Sequence, residues 1–397
     1  MEKVVSNLSG KHKKVAFITD ATDATSYTPR ILSGIAEYMQ KRRGFVLQNI
    51  SFTEIISDSL NRRFDGIIIN LCAENTHSLL DTLNGTKLPI VDTSAEVEDP
   101  ALIRVDIDLV REGTMAAEWF LRRGFRNLAY CGFHGVATYP FSDILEGAFA
   151  AIAKRADCQY MTFNMPPVTG KDKQYIRIVQ RALDKWVATL PPRTAVFCIQ
   201  DRRAVMLTQA CLTCGRAVPD DIAIMGRTND ITTCVCASVP ISSIDENLEG
   251  QGYAAMRILA EAIEHPVAPK LRPVFRVPPL GIVERESTVV YPVDPPFLAK
   301  ALLLLDENME HPVSATELAK EVGVSSTTLR TAFRKVLGTS LGKYALSVRM
   351  REAKRLMMED RLSVKEVAVR TGFSSQAYFS AAYRAFYGHP PSADRHH

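Results

Sequence analysis

From residue 13 to about residue 265, short apolar runs alternate with longer amphipathic segments. Apolar runs between helical segments are typical of buried strands in a mostly parallel sheet with helices on both faces. The predicted strands are 14–19, 44–50, 66–70, 89–93, 127–133, 195–200 and 222–226. The predicted helices lie near 29–43, 75–84, 109–124, 142–156, 172–189, 202–215 and 248–264. Because this span is too long for one such sheet, the pattern predicts two α/β lobes, with a ligand crevice beyond the carboxyl ends of the strands.

A proline-rich segment separates this α/β region from the rest of the chain. Residues 272–297 read RPVFRVPPLGIVERESTVVYPVDPPF, in which VFRV and GIVE can still form strands. Proline favours extended backbone and is excluded from helix interiors, so residues 286–296 are predicted to be an extended linker. Residues 1–285 and 297–397 are therefore predicted to be separate domains, and the second shows only helical periodicity.

The C-terminal domain contains an internal repeat, SATELAKEVGVSSTTLRTAFRKVLG at 314–338 and SVKEVAVRTGFSSQAYFSAAYRAFYG at 363–388. Each copy opens on a serine, Ser314 or Ser363, with a glutamate three residues later, which is the pattern of a capping box. Gly323 and Gly372 permit the sharp turn that ends the first helix. A further serine, Ser325 or Ser374, is predicted to start the second helix. Each copy is therefore predicted to be a helix-turn-helix.

The second helix of each copy has an apolar stripe and a polar stripe. The apolar side chains, predicted to lie in the core, are Leu329, Ala332, Phe333, Val336 and Leu337, and then Phe379, Ala382, Tyr383 and Phe386. The polar side chains, predicted to face DNA, are Ser326, Thr327, Arg330, Thr331 and Arg334, and then Ser375, Gln376, Ser380 and Arg384. Such side chains suit base edges, and the two arginines further along each helix suit phosphates. A merely solvated polar face is the alternative, and the repetition of the motif weighs against it.

The spacer between the two copies supports the same interpretation. Residues 340–359 are predicted to form one amphipathic linker helix. Twenty helical residues span about 30 Å, and successive major grooves on one face of B-DNA are about 34 Å apart. A rigid rod of this length could place two recognition helices in adjacent grooves.

The distribution of charge fits a nucleic-acid partner for the C-terminal part only. The net charge is +4, with 48 Lys+Arg against 44 Asp+Glu. Residues 297–397 contain 15 Lys+Arg and 10 Asp+Glu, or +5, which leaves 33 against 34, or −1, for residues 1–296. The surplus positive charge therefore lies in the domain with the helix-turn-helix repeat.

The remaining composition indicates a cytosolic chain. The sequence has no apolar run long enough to span a membrane and no apolar signal-peptide core before KHKK. The eight cysteines are then expected to be reduced thiols. Cys211, Cys214, Cys234 and Cys236 suggest zinc, but their spacing is not a standard structural set, so buried helix cysteines are favoured. The prediction is no metal and no cofactor.

With these motifs in place, residues 297–397 resemble the DNA-binding domain of arabinose-regulator (AraC) type transcription factors. RMREAKRLM is similar to the family's linker helix, and AVRTGFSSQAYFSAAYRAFYGHPPSADR to its second motif. Two positions depart from the family. Ala381 replaces a common basic residue, which is expected to weaken DNA contact, and Asp394 replaces an aromatic residue before Arg395, which is expected to loosen the C-terminal packing.

Residues 1–285 resemble the effector domain of lactose-repressor-type regulators, a relative of type I periplasmic sugar-binding proteins. The similar pieces are 104–133, 194–205, 214–226 and 277–289. The resemblance implies an α/β two-lobed type I periplasmic-binding-protein-like domain followed by an all-α double helix-turn-helix domain. It also implies that the effector is contacted by Tyr27, Arg30, Asp201 and Asn229. Thr228 and Ile144 stand where the family often carries Asp and Arg, so recognition of common pentoses or hexoses is expected to be altered.

The predicted function is a cytoplasmic, DNA-binding transcription regulator controlled by a small carbohydrate-like effector. By resemblance it activates sugar-utilisation genes, with promoter DNA, RNA polymerase and a second copy of the chain as partners. A sugar-handling enzyme, or a binding protein, with a helical appendage is the alternative. The sequence contains no nucleophile elbow, Walker loop or metal triad, so no enzymatic activity is predicted.

Overall fold

The computed structural model describes residues 12–19, 27–52, 63–71, 73–82, 88–94, 97, 99, 102–133, 140–165, 175–265, 274–359 and 362–394. The strands are β1 (Lys13–Thr19), β2 (Phe45–Ser51), β3 (Gly66–Asn70), β4 (Ile90–Asp92), β5 (Leu102–Ile107), β6 (Asn127–Gly132), β7 (Gln159–Asn164), β8 (Thr194–Cys198), β9 (Ile222–Arg227), β10 (Ser242–Asp245), β11 (Val274–Val277) and β12 (Gly281–Val283). The helices before residue 290 are α1 (Tyr27–Lys41), α2 (Ala73–Thr82), α3 (Leu109–Arg122), α4 (Pro140–Arg155), α5 (Tyr175–Thr189), α6 (Asp201–Thr213), α7 (Ile231–Val235) and α8 (Leu248–Glu264). The later helices are α9 (Pro296–Glu307), α10 (Ala315–Glu321), α11 (Ser326–Leu337), α12 (Leu341–Glu359), α13 (Val364–Arg370) and α14 (Gln376–Tyr387).

Two separate sheets form the α/β region, which confirms the predicted two lobes. The sheet of lobe 1 has the order β11-β5-β4-β3-β1-β2, and its strands pair in parallel. The sheet of lobe 2 has the order β12-β10-β9-β8-β6-β7, in which only β12 pairs antiparallel with its neighbour. The chain crosses between lobes after β5, after β10 and after β11.

The apolar residues of these strands and helices bury both faces of each sheet. In lobe 1, α1 and α8 cover one face with a shared core around Ile31, Ile35 and Met256. In lobe 2, α3 to α6 enclose a core that contains Phe120, Phe149 and Phe197. The predicted helix ends at 83–84 and 172–174 lie outside the described residues.

Three strands were absent from the predicted set, β5, β7 and β10. β5 contains Arg104 and Asp106, whose charges pair at 2.6 Å within the strand and so disguise a buried segment. β7 lies at the edge of its sheet, where half of its residues are exposed and the rest only partly buried, so its sequence lacks an apolar run. β10 is short and polar. Its Ser242 donates through the backbone N–H to the Ser287 hydroxyl and through its own hydroxyl to the Arg285 carbonyl, and that hydroxyl accepts from the Arg285 N–H. The edge position of β7 and the Ser242 contacts of β10 depend on residues that are distant in sequence, so neither is visible locally.

The C-terminal region confirms the double helix-turn-helix. Ser314 and Ser363 each form a complete capping box with the glutamate three residues later. The N-cap of α14 is Ser375, not the predicted Ser374, because the residue inserted in the second copy shifts the helix start by one position. The linker helix α12 contributes Tyr344 and Val348 to the core of the first half, and four further residues to the core of the second half. The two halves therefore share one rigid element.

Two residues of the predicted apolar stripes are not in the core. Val336 is 40% exposed and Phe386 is 43% exposed, whereas Phe333 and Phe379 are fully buried. Val336 and Phe386 lie in the last turn of α11 and α14.

The segment 286–296 packs against both domains. Ser287 and Thr288 are fully buried in lobe 2, where the Ser287 hydroxyl donates to the Ile224 carbonyl at 2.6 Å. Tyr291 and Val293 belong to the core that contains α9 and α11. No helix among the described residues is long and apolar enough to cross a membrane.

Candidate functional site

Arg30, one of the predicted ligand residues, joins the two lobes. It lies in the first turn of α1 in lobe 1 and donates to the Thr228 carbonyl at 2.5 Å, in the loop after β9 of lobe 2. The same guanidinium pairs with Asp245 at 2.8 Å and Glu249 at 2.7 Å, at the crossing from β10 to α8. This side chain between the two lobes is therefore held by two carboxylates.

Asn229 lies next to this contact, as the resemblance implies. Its backbone is in the left-handed region at φ 55°. Its side-chain nitrogen donates to Asp245 at 3.0 Å, and its side-chain oxygen accepts from Arg285 at 2.8 Å. The structure thus brings Arg30 and Asn229 together around one carboxylate.

Asp201, the acidic residue after β8, is buried and engaged within lobe 2. One oxygen accepts from the Ser243 hydroxyl at 2.6 Å and the other from the Asp230 backbone N–H at 2.8 Å. Burial raises its pKa to about 7, although both hydrogen bonds lower it. Asp201 therefore fixes the loop that carries Asn229.

Tyr27 is the first residue of α1 and is half-buried. The largest effect on the pKa of the Arg227 guanidinium is burial, which lowers it, while Glu112 and Glu246 raise it. The Tyr27 hydroxyl is close enough to raise it further, by a smaller amount. Tyr27 therefore faces the strand ends of lobe 2.

Sequence reasoning missed a buried ion cluster at these strand ends. Arg227, the last residue of β9, pairs with Glu112 at 2.6 Å and with Glu246 at 3.1 Å. Both carboxylates are fully buried, and one oxygen of each has no hydrogen-bond partner. Burial raises the pKa of Glu112, while Arg227 lowers it. A charged residue at the end of the apolar run IAIMGR was the available signal, because a buried charge requires a partner.

Lobe 1 contributes two more buried acceptors near its strand ends. Asp92 ends β4, and one of its oxygens accepts from the Ser94 N–H and hydroxyl while the other has no partner. Gln251 in α8 donates to the carbonyls of Thr93 and Val105, and its own side-chain oxygen is unpaired. Unpaired buried oxygens are costly, which makes these atoms candidates for contact with a ligand that donates hydrogen bonds.

Replacing Asp92 by asparagine is expected to stabilise the protein at pH 7.5 by about 1–3 kcal/mol. Burial raises the pKa of Asp92 from 3.8 to about 6, so its folded carboxylate binds a proton more tightly than the unfolded one. The stability it contributes is present below pH 4 and is lost as pH rises through 6. Asparagine keeps the Ser94 contacts and does not titrate, so its advantage should shrink towards pH 5.

Urea unfolding of both proteins between pH 5 and 8 measures this difference. Glu37→Gln is the control, because Glu37 is exposed and, within the described ranges, pairs only with Lys41 four residues away. It should change the stability by less than about 0.5 kcal/mol at every pH. An Asp92→Asn advantage that is constant with pH would contradict the titration argument.

The predicted DNA-facing residues lie on the open sides of α11 and α14. Thr327, Arg330, Thr331 and Arg334 are exposed and Ser326 is half-buried in α11, and Ser375, Gln376 and Arg384 are exposed and Ser380 half-buried at α14. Within the described part of the chain, the guanidinium groups of Arg330, Arg334 and Arg384 have no ion pair or hydrogen bond. Ser375 caps α14 through its hydroxyl, so its role includes the helix start. Two cationic faces are thus presented from one rigid unit.

The Asp394 departure does not leave the C-terminal turn without contacts. The Tyr383 hydroxyl donates to Asp394 at 2.6 Å, and Lys354 and His389 lie 3.7 and 3.6 Å from the carboxylate. The expected loosening is therefore replaced by a polar anchor between α14 and α12. Ala381 is exposed beside the polar face of α14.

The four cysteines considered for zinc do not form one group. Cys211 and Cys234 are buried, whereas Cys214 and Cys236 are exposed. Among the residues that the structure describes, no cluster of three or more His, Cys, Asp or Glu side chains could hold a metal ion.

Comparison with known proteins matches both halves of the chain. Residues 117–288 match the model of a periplasmic binding protein-like domain, and residues 318–397 match that of a helix-turn-helix domain. The xylose operon regulatory protein of Escherichia coli strain K12 is 22% identical, over 97% of this chain and 97% of its own length. The HTH-type transcriptional regulator ArgR of Pseudomonas aeruginosa is 36% identical over 100 residues, which are 25% of this chain and 30% of its own.

The same arrangement is found in a solved structure. That of the xylose-binding transcription activator XylR superimposes with a TM-score of 0.61 at 20% identity, over 97% of this chain and 98% of the other. The fold is therefore shared over almost the whole length, with the two-lobed domain first and the helical domain last. The chain therefore combines a periplasmic binding protein-like domain with a C-terminal helix-turn-helix domain, and it is similar over almost its whole length to the xylose operon regulatory proteins.

Proposed function

We propose that this regulator binds a small, neutral, hydroxyl-rich effector between its lobes and activates sugar-utilisation genes as a cytoplasmic homodimer that contacts RNA polymerase. The observation that carries the proposal is the set of unpaired, buried carboxylate oxygens at the strand ends, on Asp92, Glu112 and Glu246. Hydroxyl groups of a sugar would donate to such oxygens, and an anionic ligand would be repelled by them. The xylose-related names of the relatives support the carbohydrate class.

We propose that the effector is contacted by Tyr27, Arg30, Asp201 and Asn229. Tyr27 could stack on a sugar ring beside the Arg227 cluster. Asp201 and Asn229 already use their polar atoms within lobe 2, so an effector would have to exchange with those bonds. We propose that this exchange, together with the Arg30 contact, couples effector binding to the angle between the lobes.

The contact between lobe 2 and the helical domain gives that change a route to the DNA. Arg123, after α3, is buried between the rings of Trp119 and Tyr291, with its guanidinium carbon 4.0 and 4.7 Å from their centroids. It pairs with Glu284 at 2.5 Å and with Asp306 of α9 at 3.4 Å. Movement of lobe 2 would therefore carry the DNA-binding domain with it.

A thermal-shift screen of the full chain against pentoses, hexoses, deoxysugars and sugar acids tests the effector proposal. Neutral sugars should raise the melting temperature, and sugar acids should not. A sugar acid as the strongest ligand would overturn the proposed class. Release of a chemically changed product would favour the alternative of a sugar-handling enzyme.

Substitutions on the proposed DNA-facing surface are expected to have one of two effects, loss of base discrimination or uniform loss of DNA affinity. Arg330→Ala or Gln376→Ala is expected to reduce discrimination between operator and altered operator by about 1–3 kcal/mol, because we propose that these side chains read base edges. Arg334→Ala is expected to weaken binding to all duplexes alike and to lower the slope of log K against log salt by about one. Binding to promoter fragments at several salt concentrations separates the two.

Lys320→Ala is the matched control, because it removes one exposed positive charge from α10 rather than α11. It should leave both discrimination and salt slope close to those of the parent protein. If Arg330→Ala, Gln376→Ala and Lys320→Ala behave alike, the polar stripes are only solvated helix faces.

A further inference from the structure

A cavity of about 440 Å³ lies between lobe 2 and the helical domain. Its walls come from the end of α3 and the loop after it, from the connecting segment 292–294, from the last turn of α11 and from α12. It is remote from the strand ends where the effector is proposed to bind. A volume of this size is sufficient for a small metabolite.

Three arginines line this cavity, Arg122 and Arg126 from lobe 2 and Arg351 from α12. The lining contains one carboxylate, Asp294, and that group is already paired with Arg193 at 2.7 Å. Among the residues that the structure describes, Arg122 pairs only with Glu118, at 3.8 Å and on the surface. Arg351 donates to the Ser347 hydroxyl, and Arg126 to the Phe125 carbonyl, so neither is neutralised by these contacts. The cavity is therefore strongly cationic.

The arrangement costs free energy in the absence of an anion. Desolvation, with the nearby charge of Arg351, lowers the pKa of Arg122 to about 10. Like charges from two domains would ordinarily push those domains apart. Guanidinium groups have a planar set of donors that matches the oxygens of phosphate.

We propose that this cavity binds a small phosphate-bearing anion that bridges Arg122 and Arg126 of lobe 2 to Arg351 of the DNA-binding domain. The bound anion fixes the two domains in one relative position. By linkage, an anion that binds better in one position shifts the regulator towards it, independently of the sugar site.

The DNA backbone is a less suitable occupant than a small anion. The cavity is bounded on α11 by Val336 and Leu337. Val336 lies six residues after Arg330, or about 240° around the helix, on a different side from the proposed base-reading face. A duplex seated on Arg330 and Arg334 would therefore have to bend around α11 to place a phosphate in the cavity.

Calorimetric titration and thermal shift of the full chain with inorganic phosphate and with pyrophosphate test the site, at constant ionic strength and without sugar or DNA. Both anions should bind, and Arg122→Gln or Arg351→Gln should each weaken pyrophosphate binding by about tenfold or more. Arg111→Gln is the control, because it removes an exposed arginine from the opposite end of α3. It should bind pyrophosphate as the parent does.

The melting temperatures of the parent and of Arg351→Gln, compared without and with pyrophosphate, test the anion site more sharply than weaker pyrophosphate binding alone. In phosphate-free buffer, Arg351→Gln should melt at or above the temperature of the parent, because it removes a repulsion. With pyrophosphate present, the parent should melt higher than the variant. An Arg351→Gln protein that is less stable than the parent to the same extent in both buffers would show a structural role and overturn the proposal.

Two further results would also overturn it. One is a parent protein that pyrophosphate shifts no more than sodium chloride does at the same ionic strength. The other is an Arg351→Gln protein that responds to pyrophosphate as the parent does but binds the promoter more weakly. That result would assign these arginines to DNA. Sugar binding, measured separately, decides the proposed function whatever the outcome here.

Discussion

Arg227→Leu is expected to destabilise the protein by roughly 3–5 kcal/mol at pH 7.5, because it leaves two buried carboxylates without their cation. Arg227 is the shared partner of Glu112 and Glu246, and all three side chains are almost fully enclosed. Leucine fills part of the volume but cannot compensate either charge. The loss should therefore appear as a lower urea midpoint for the α/β domain and as weaker binding of the effector.

The charge argument also predicts a rescue. Adding Glu112→Gln to Arg227→Leu should recover part of the lost stability, because one of the uncompensated carboxylates is removed. The matched control is Arg257→Leu, which breaks an exposed pair with Glu261 in α8 at 2.9 Å. That change should cost less than about 1 kcal/mol. Equal losses from Arg227→Leu and Arg257→Leu would mean that burial of the cluster contributes little.

The helical domain was predicted almost completely, because its determinants are local. Capping serines, turn glycines and apolar periodicity all act within a few residues, and each occurs twice at nearly the same spacing. The structure adds a difference between the two glycines that the repeat conceals. A Cβ atom on Gly372 would lie 2.4 Å from the Met309 carbonyl oxygen, whereas one on Gly323 would have no neighbour within 4 Å. The second turn therefore packs against the segment Met309–Pro312 that follows α9, and the first is open.

The α/β domain was predicted in outline, and its site only in part. Arg30 and Asn229 were identified through resemblance, and the structure joins them at Asp245. Glu112 and Arg227 are separated by 115 positions, and only the chain crossing after β5 brings them together. Periodicity shows that a residue is buried but not which distant charge is buried with it. The strands β5 and β10 were missed because their polar residues are paired inside the fold, Arg104 with Asp106 within β5, and Ser242 of β10 with the distant residues Arg285 and Ser287.

Gly252→Ala is expected to cost about 3 kcal/mol or more and to abolish the effector response, because α1 and α8 touch backbone to backbone. A Cβ atom on Gly252 would lie 2.0 Å from the Ile31 carbonyl oxygen, and one on Gly34 would lie 1.8 Å from that of Glu249. Neither obstacle is a side chain that can rotate away. The helices must separate, and Arg30 on α1 would then move away from Glu249 on α8.

Gly147→Ala is the control that separates the packing effect of an added methyl group from its effect on helix propensity. Gly147 lies inside α4 with no atom within 4 Å of the added methyl group, so this change should stabilise the protein by about 0.5–1 kcal/mol. Urea unfolding gives the stabilities, and promoter binding with and without effector gives the response. Gly252→Ala with normal stability would mean that the two helices can separate freely. Reduced stability with an intact response would mean that the Arg30 contact does not transmit effector binding. Loss of both stability and effector response would mean that the close contact of α1 and α8 at Gly34 and Gly252 couples effector binding to DNA binding.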